Sequence, residues 1–387
     1  MHEIVIIVTI SLIIFSSPFI AKITKLPTSV VEIVLGTLGA AAGLLERVPI
    51  FELVSEFGFL YLMFLAGLEV DIKEILSLDR AILKRGLLYI SSLYLFSFLI
   101  AKNIGFDDIY IAIFPLISVG LIAALKKEYG KKISWLNLAM VIGSLGEVIS
   151  IAILTILSAG LEFGFGAAFY KTLFILLLFL ALTALAFKIL HVLFWWYPEL
   201  KTILMPKIDN EEQDIRLSIA LFFLFISLML YLHLEVAFGA FIAGVIIASF
   251  FEHKRSLPHK LSSFGFGFLV PIFFIYIGSS FKLSALATEG LIAAACAITA
   301  VMLGIRIVGA LIFMRVLGLR ERLLFALAHS MPLTLLIAIS TIAYHTRFIG
   351  ENAYMAFILA SILEVLFAMI LIRLVMRLFA AKEKTLL

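Results

Sequence analysis

Three side chains in this sequence stand where their chemistry is costly. Glu147 lies in the middle of LNLAMVIGSLGEVISIAIL, Arg306 in AVMLGIRIVGALIF and Glu364 in ILASILEVLFAMILI. An ionised side chain at the centre of a membrane-length apolar helix costs about 2.5 to 3.5 kcal/mol even on insertion scales, so each implies a task or a partner. Arginine keeps its proton in essentially any protein setting, which makes Arg306 a fixed positive charge and a candidate partner for either acid. The carboxylates can titrate. Burial and a neighbouring guanidinium act on a carboxylate's proton affinity in opposite senses, and a balance between them suits a group that exchanges protons. Asn137, Ser144 and Glu147 recur at helical spacing with Ser150 on the adjacent edge, a polar stripe expected to face protein or water.

Two proline interruptions accompany these charges. Pro115 and Ser118 fall in IFPLISVG, and Ser330, Pro332 and Thr334 in AHSMPLTLL, each near the middle of an apolar run. One such proline would read as a kink in a packed helix. Two at matched positions beside hydroxyls point to more than packing, because unwound backbone is tolerated at that depth only inside protein or beside water. His329, next to the second interruption, is expected to be a hydrogen-bonded packing residue. Glu56 and Glu69 are expected at a membrane interface, and Glu32 is left open between helix packing and a lining role. Gly36 with Ala40, and Gly239 with Gly244, have the small-residue spacing of close helix contacts.

The elements that must position these groups are membrane helices. The residues are 64% hydrophobic and 14% charged, against about 25% charged in ordinary soluble domains. Apolar runs recur throughout, each long enough for a helix of about 20 residues across a hydrocarbon core. The chain predicts an all-α integral membrane protein of about thirteen transmembrane helices, near 4–20, 28–45, 54–69, 81–101, 108–125, 134–158, 168–194, 215–233, 235–251, 265–281, 289–316, 323–344 and 353–379. The first run lacks a basic leader and a small-residue cleavage site and is kept as a helix. Connections are short, the longest running from Trp195 to Asp214, so residues 1–387 are expected to form one membrane domain without a soluble regulatory part.

The prolines lie in helices 5 and 12, seven apart. An odd offset reverses orientation in the membrane, as expected if helices 1–6 repeat inverted as 8–13 with helix 7 as linker, and such halves bring discontinuous helices together near the midplane. Basic residues support an orientation. The odd-numbered connections and the C-terminal tail hold Lys22, Lys25, Lys73, Lys84, Arg85, Lys126, Lys127, Lys131, Lys132, Lys207, Lys254, Arg255 and others, whereas the even-numbered ones hold only Arg47, Lys102, Lys282 and Arg347. By the positive-inside rule the N-terminus is outside and the C-terminus cytoplasmic, in a multi-pass cell-membrane protein. The single cysteine, Cys296, excludes an intramolecular disulfide and a cysteine-built metal site, and is expected to be a small packing residue. No cofactor, transition metal, nucleotide or nucleic-acid partner is expected; the net charge of +4 matters less than where the basic residues lie. The expected partner is membrane lipid.

The segments LPTSVVEIVLGTLG (Leu26 to Gly39), FLYLMFLAGLEVD (Phe59 to Asp71), AFGAFIAGVIIAS (Ala237 to Ser249) and FGFLVPIFFIYIGSSFKL (Phe266 to Leu283), in this order, resemble the membrane domain of the cation:proton antiporter-2 family, which includes Kef-type and NapA-type antiporters. The resemblance spans nearly the whole chain. It implies thirteen helices, a homodimer, a dimerisation domain, and a mobile core in which helices 5 and 12 cross, helix 6 carries the ion-binding carboxylate and helix 11 its basic partner. It implies exchange of a monovalent cation, Na+ or K+, for protons by alternating access, with no enzyme chemistry. Gly146 and Glu147 replace the paired aspartates or Gln-Asp pair of many relatives; Pro115 to Ser118 stands where relatives often show a Thr-Ser or Ser-Thr step; Met331 and Pro332 replace a Gly-Glu step. Glu364 is an acid outside the pattern, and a Kef-like C-terminal nucleotide-binding domain is not expected. With one acid in helix 6, one-for-one exchange is expected, with Glu364 as a possible second proton site. The alternatives are a sodium-coupled solute symporter of related fold, a cation channel, or a non-transporting sensor or scaffold.

Overall fold

The computed structural model describes residues 2–70, 79–129, 133–163, 166–206, 211–251 and 256–384. Lys73, Lys131, Lys132, Lys207, Lys254, Arg255 and Asp71 lie outside the described residues. Among the described residues every regular element is helical. The order is α1 (His2–Thr24), α2 (Thr28–Ala41), α3 (Pro49–Glu69), α4 (Arg80–Ile104), the half-helices α5a (Ile109–Ile113) and α5b (Gly120–Tyr129), α6 (Ser134–Phe163) and α7 (Ala167–Trp196). There follow α8 (Gln213–Leu232), α9 (Val236–Phe250), α10 (Leu257–Ser280), α11 (Leu291–Gly309), the half-helices α12a (Leu319–His329) and α12b (Leu333–His345), and α13 (Glu351–Lys384). A short helix, Pro198–Leu204, sits in the longest connection.

Ten of the described helical segments are long and apolar enough to cross a membrane, and α2 and α9 are shorter apolar helices. With the broken α5 these account for every expected span. Edges differ from expectation where hydropathy and hydrogen bonding part company. Helix α6 continues to Phe163, and α2 stops at Ala41 because Gly43 adopts a left-handed φ of 73° just beyond it. Helix α10 carries a π-helical turn at Gly265–Leu269.

The chain divides into two compact units, each discontinuous in sequence: Met1–Lys73 with Ser158–Leu283, and Glu74–Leu157 with Ser284–Leu387. The first therefore holds α1–α3 and α7–α10, and the second α4–α6 and α11–α13. Each half of the chain gives its first three spans to one unit and its last three to the other.

Within the first unit two pairs of helices approach closely. Helix α2 packs on α10 and α3 on α9, and a glycine permits each approach. A Cβ on Gly36 would lie 2.3 Å from the Ile275 carbonyl oxygen, and one on Gly244 would lie 2.1 Å from that of Phe64. A Cβ on Gly278 would lie 2.0 Å from the Ile33 carbonyl, and one on Gly67 would lie 2.1 Å from that of Phe241. The two pairs exchange roles when α2 is matched with α9 and α3 with α10. Without a hydrophobic force between helices in lipid, such backbone-to-backbone packing is what holds spans together. Thr37 adds a hydrogen bond to the Gly278 carbonyl at 2.9 Å. Glu32, buried in α2, accepts a hydrogen bond from Ser17 Oγ at 3.2 Å and so joins α2 to α1.

The second unit packs α13 against α11 and both halves of α12, and α4 against α5a and α11. It contains all three charges singled out above and both proline interruptions. Cys296 is exposed on α11, which corrects its expected packing role.

Candidate functional site

Both proline segments are breaks in otherwise continuous spans. Pro115 has no N–H and cannot complete the bond to Ile111 one turn earlier. The Ile111 carbonyl accepts instead from Ser97 Oγ of α4 at 3.0 Å, and Ser97 also reaches the Tyr110 carbonyl at 3.1 Å. Helix resumes only at Gly120, and between the halves the buried Ile117 N–H donates to Ser150 Oγ of α6 at 3.2 Å. In helix 12 the same rule opens the chain at Ser330, with φ −89° and ψ 39°, and at Pro332, with φ −81° and ψ 41°. Ser330 Oγ returns to the Ala326 carbonyl of its own half-helix at 3.0 Å.

The two breaks meet at their hydroxyls. Ser118 Oγ lies 3.2 Å from Thr334 Oγ1 and donates to Glu147 Oε1 at 2.9 Å. Ser118 and Glu147 are buried, Glu147 completely, and among the described residues Glu147 Oε2 has no hydrogen-bond partner. A desolvated carboxylate with one oxygen satisfied and one open, beside two hydroxyls, can hold a proton or help strip and hold a small cation. Glycine on α6 makes the approach possible. A Cβ at Gly146 would lie 2.6 Å from Ile117 Cδ1, and one at Gly143 would lie 3.0 Å from Val119 Cγ1. Gly146 supplies no ligand before the acid because the unwound stretch of helix 5 occupies that space.

Arg306 ties the two breaks together. Its Nε donates to the His329 carbonyl, the end of α12a, at 2.8 Å, and Nη1 donates to the Met302 carbonyl at 2.6 Å. Nη2 donates to the Leu116 carbonyl in the break of helix 5. A guanidinium is well suited to this, with five donors in a rigid fork and no proton to lose. A cation at the C-terminal end of α12a also complements that half-helix's dipole. The ion pair of Arg306 is with Glu364, Nη1 to Oε1 at 3.6 Å, with both side chains fully buried. Among the described residues neither Glu364 oxygen finds a hydrogen-bond partner. The pairing of helix 11 with the helix 6 acid, implied by the resemblance, is thus replaced by a pairing with helix 13.

The remaining candidates fall further off. Ser144 Oγ donates to the Met140 carbonyl of its own helix at 3.0 Å, and Asn137 is half-buried about 15 Å along α6 from Glu147, at 1.5 Å per residue. His329 is fully buried, its Nε2 3.0 Å from the Ala139 carbonyl and its ring against Phe325 and Tyr89, the packing position expected of it. Sequence reasoning did not single out Ser97, or the Leu116 and His329 carbonyls, and it set Ser150 at the margin. It also overlooked a signal for Glu364. Pro115 and Glu147 are separated by the same number of residues as Pro332 and Glu364, and Ser144 to Val148 (SLGEV) matches Ser361 to Val365 (SILEV). Glu364 thus stands where the expected repeat would place the counterpart of Glu147.

Comparison with known proteins adds the context. Residues 7–378 match the family described as "Sodium/hydrogen exchanger, transmembrane". The chain is 28% identical over 283 residues to "Probable Na(+)/H(+) antiporter 3" of Methanocaldococcus jannaschii, covering 69% of this chain and 68% of that protein. It is 25% identical over 284 residues to "Ammonium/H(+) antiporter subunit AmhT" of Alkalihalophilus pseudofirmus, covering 71% and 70%. In fold it is similar to the sodium proton antiporter MjNhaP1 from Methanocaldococcus jannaschii, solved at pH 8, with a TM-score of 0.66 over 97% of this chain and 99% of that one at 15% identity.

Proposed function

The chain belongs to the sodium/hydrogen exchanger family, a family of multi-pass membrane transporters, and on that premise we propose that Glu147 is the carboxylate that carries, in alternation, a monovalent cation and a proton. The observation that supports this most is the Glu147 carboxylate at the meeting point of the two breaks, hydrogen-bonded by Ser118 within reach of Thr334 and with one oxygen open. In the cycle, protonated Glu147 releases its proton to one side and the bare carboxylate takes a cation, with Ser118 and Thr334 as neutral oxygen ligands. The occupied site crosses and the cation leaves. A proton then replaces it for the return. A bare carboxylate would meet a desolvation penalty of several kcal/mol in a low-dielectric barrier, so movement is confined to the neutralised forms.

The charge inventory favours one cation for one proton. Arg306 and Glu364 offset each other, leaving Glu147 as the single uncompensated charge among the groups described at the site. Asn137 and Ser144 would line the approach along α6 rather than ligate. Na+ and K+ are the first cargoes to try, and the name of the AmhT relative puts ammonium in the same panel. We place the N-terminus outside and the C-terminus in the cytoplasm on the basic-residue bias. We assign a homodimer in lipid, with no cofactor, as the working form.

Proteoliposomes with a pH gradient test the reading. Adding Na+, K+, Li+ or ammonium should dissipate the gradient in wild type and not in Glu147→Gln. Uptake of an organic solute with sodium would favour a symporter, and currents far above carrier rates a channel. Undiminished proton flux in Glu147→Gln would overturn the assignment.

A further inference from the structure

Among its described residues the second unit holds two buried carboxylates at matched spacing from a proline break but only one buried guanidinium between them. Arg306 spends three N–H groups on backbone carbonyls, at Met302, His329 and Leu116. Its charge is then met from one side by Glu364, at 3.6 Å. Glu147 makes no ion pair with it, although both grip the same unwound stretch. Arg306 holds the carbonyl of Leu116 and Glu147 the hydroxyl of Ser118, two residues apart and so within about 7 Å along the chain. A guanidinium that close and uncompensated would repel a cation arriving at Glu147.

We propose that Glu364 is a positioning residue that absorbs the Arg306 charge, so that Arg306 can pin both breaks without weakening cation binding at Glu147. The inference rests on Glu147 being the carrier. It gives the helix 13 acid a task distinct from carrying cargo: the helix 12 break needs a cation at the end of α12a, the cargo site needs none, and Glu364 reconciles the two. The geometry fits a counter-charge better than a ligand. Glu364 has no hydroxyl donor like Ser118; the matching serine on α13, Ser361, donates to its own helix at Ile358.

The test is the sodium dependence of proton flux in proteoliposomes for wild type, Glu364→Gln, Glu364→Asp and Glu147→Gln. At an effective dielectric near 20 and a separation of roughly 10 Å, one uncompensated charge shifts affinity about tenfold. Glu364→Gln should raise the half-saturating sodium concentration about tenfold while the maximal rate stays within about twofold. Glu364→Asp, which keeps the charge but withdraws it by one methylene, should fall between the two. An unchanged half-saturation in Glu364→Gln, or a lost maximal rate, would overturn the proposal. Should the glutamine variant fail to fold, Glu364→Asp decides: a rise of about threefold at constant maximal rate supports it, and no rise overturns it. Retained flux in Glu147→Gln would instead defeat the carrier assignment, whatever Glu364 does.

Discussion

Two stretches of this molecule share one spacing and differ in what surrounds their acids. From Pro115 to Glu147 and from Pro332 to Glu364, a proline break is followed at the same spacing by a glutamate on the next span. In the first, the carboxylate takes a hydroxyl from the break beside it and keeps one oxygen open. In the second, it takes no hydrogen bond and faces a guanidinium. The difference lies in what surrounds the acids. Ser118 meets the first, and Arg306 meets the second. On the proposal above, the first acid is the cargo site and the second a counter-charge.

Substitutions can break or sharpen that contrast. The largest effect is expected from Glu147→Gln, which should lower cation-dependent proton flux at least about a hundredfold, since a desolvated cation without its counter-charge costs several kcal/mol. Next is Arg306→Met. It removes donors from three carbonyls and strands Glu364 as a buried unpaired acid, so thermal unfolding in detergent should show a loss of about 3 to 5 kcal/mol. Gly146→Ala should cost about 1 to 3 kcal/mol, because its Cβ would press on Ile117. The matching Leu363 of α13 already carries a large side chain, so Leu363→Ala should not show that overpacking. Thr334→Val removes the neighbour of Ser118 and should raise half-saturating cation about three- to tenfold, the value of one hydrogen bond. The smallest effects belong to Ser144→Ala and Ser361→Ala. Each hydroxyl serves its own helix, and both variants should stay within about 0.5 kcal/mol of wild type.

Much of this was legible in the sequence for a physical reason. Lipid leaves every charge and every backbone break in a span to be explained, so Glu147, Arg306, Glu364, Pro115 and Pro332 stood out against their apolar runs. The helices followed from apolar length. Partnership was not legible. Whether Arg306 turns to helix 6 or helix 13 depends on which face of α11 meets which neighbour, and periodicity leaves that open when the helix is apolar nearly all round. The backbone carbonyls at Leu116 and His329, which decide where Arg306 is held, carry no sequence signature. Ser97 and Ser150 were hidden among ordinary helix serines, and only the orphaned groups of the break distinguish them. Glu364's kinship with Glu147 was present in the shared spacing and in SLGEV against SILEV, and required matching the halves residue by residue.

The central claim is that Glu147 alone carries the exchanged charge. Proteoliposomes holding wild type, Glu147→Gln or Glu364→Gln, pulsed with saturating sodium under an imposed pH gradient, measure it directly. The account predicts gradient collapse in wild type and in Glu364→Gln, and none in Glu147→Gln. Collapse at the wild-type rate in Glu147→Gln would contradict it.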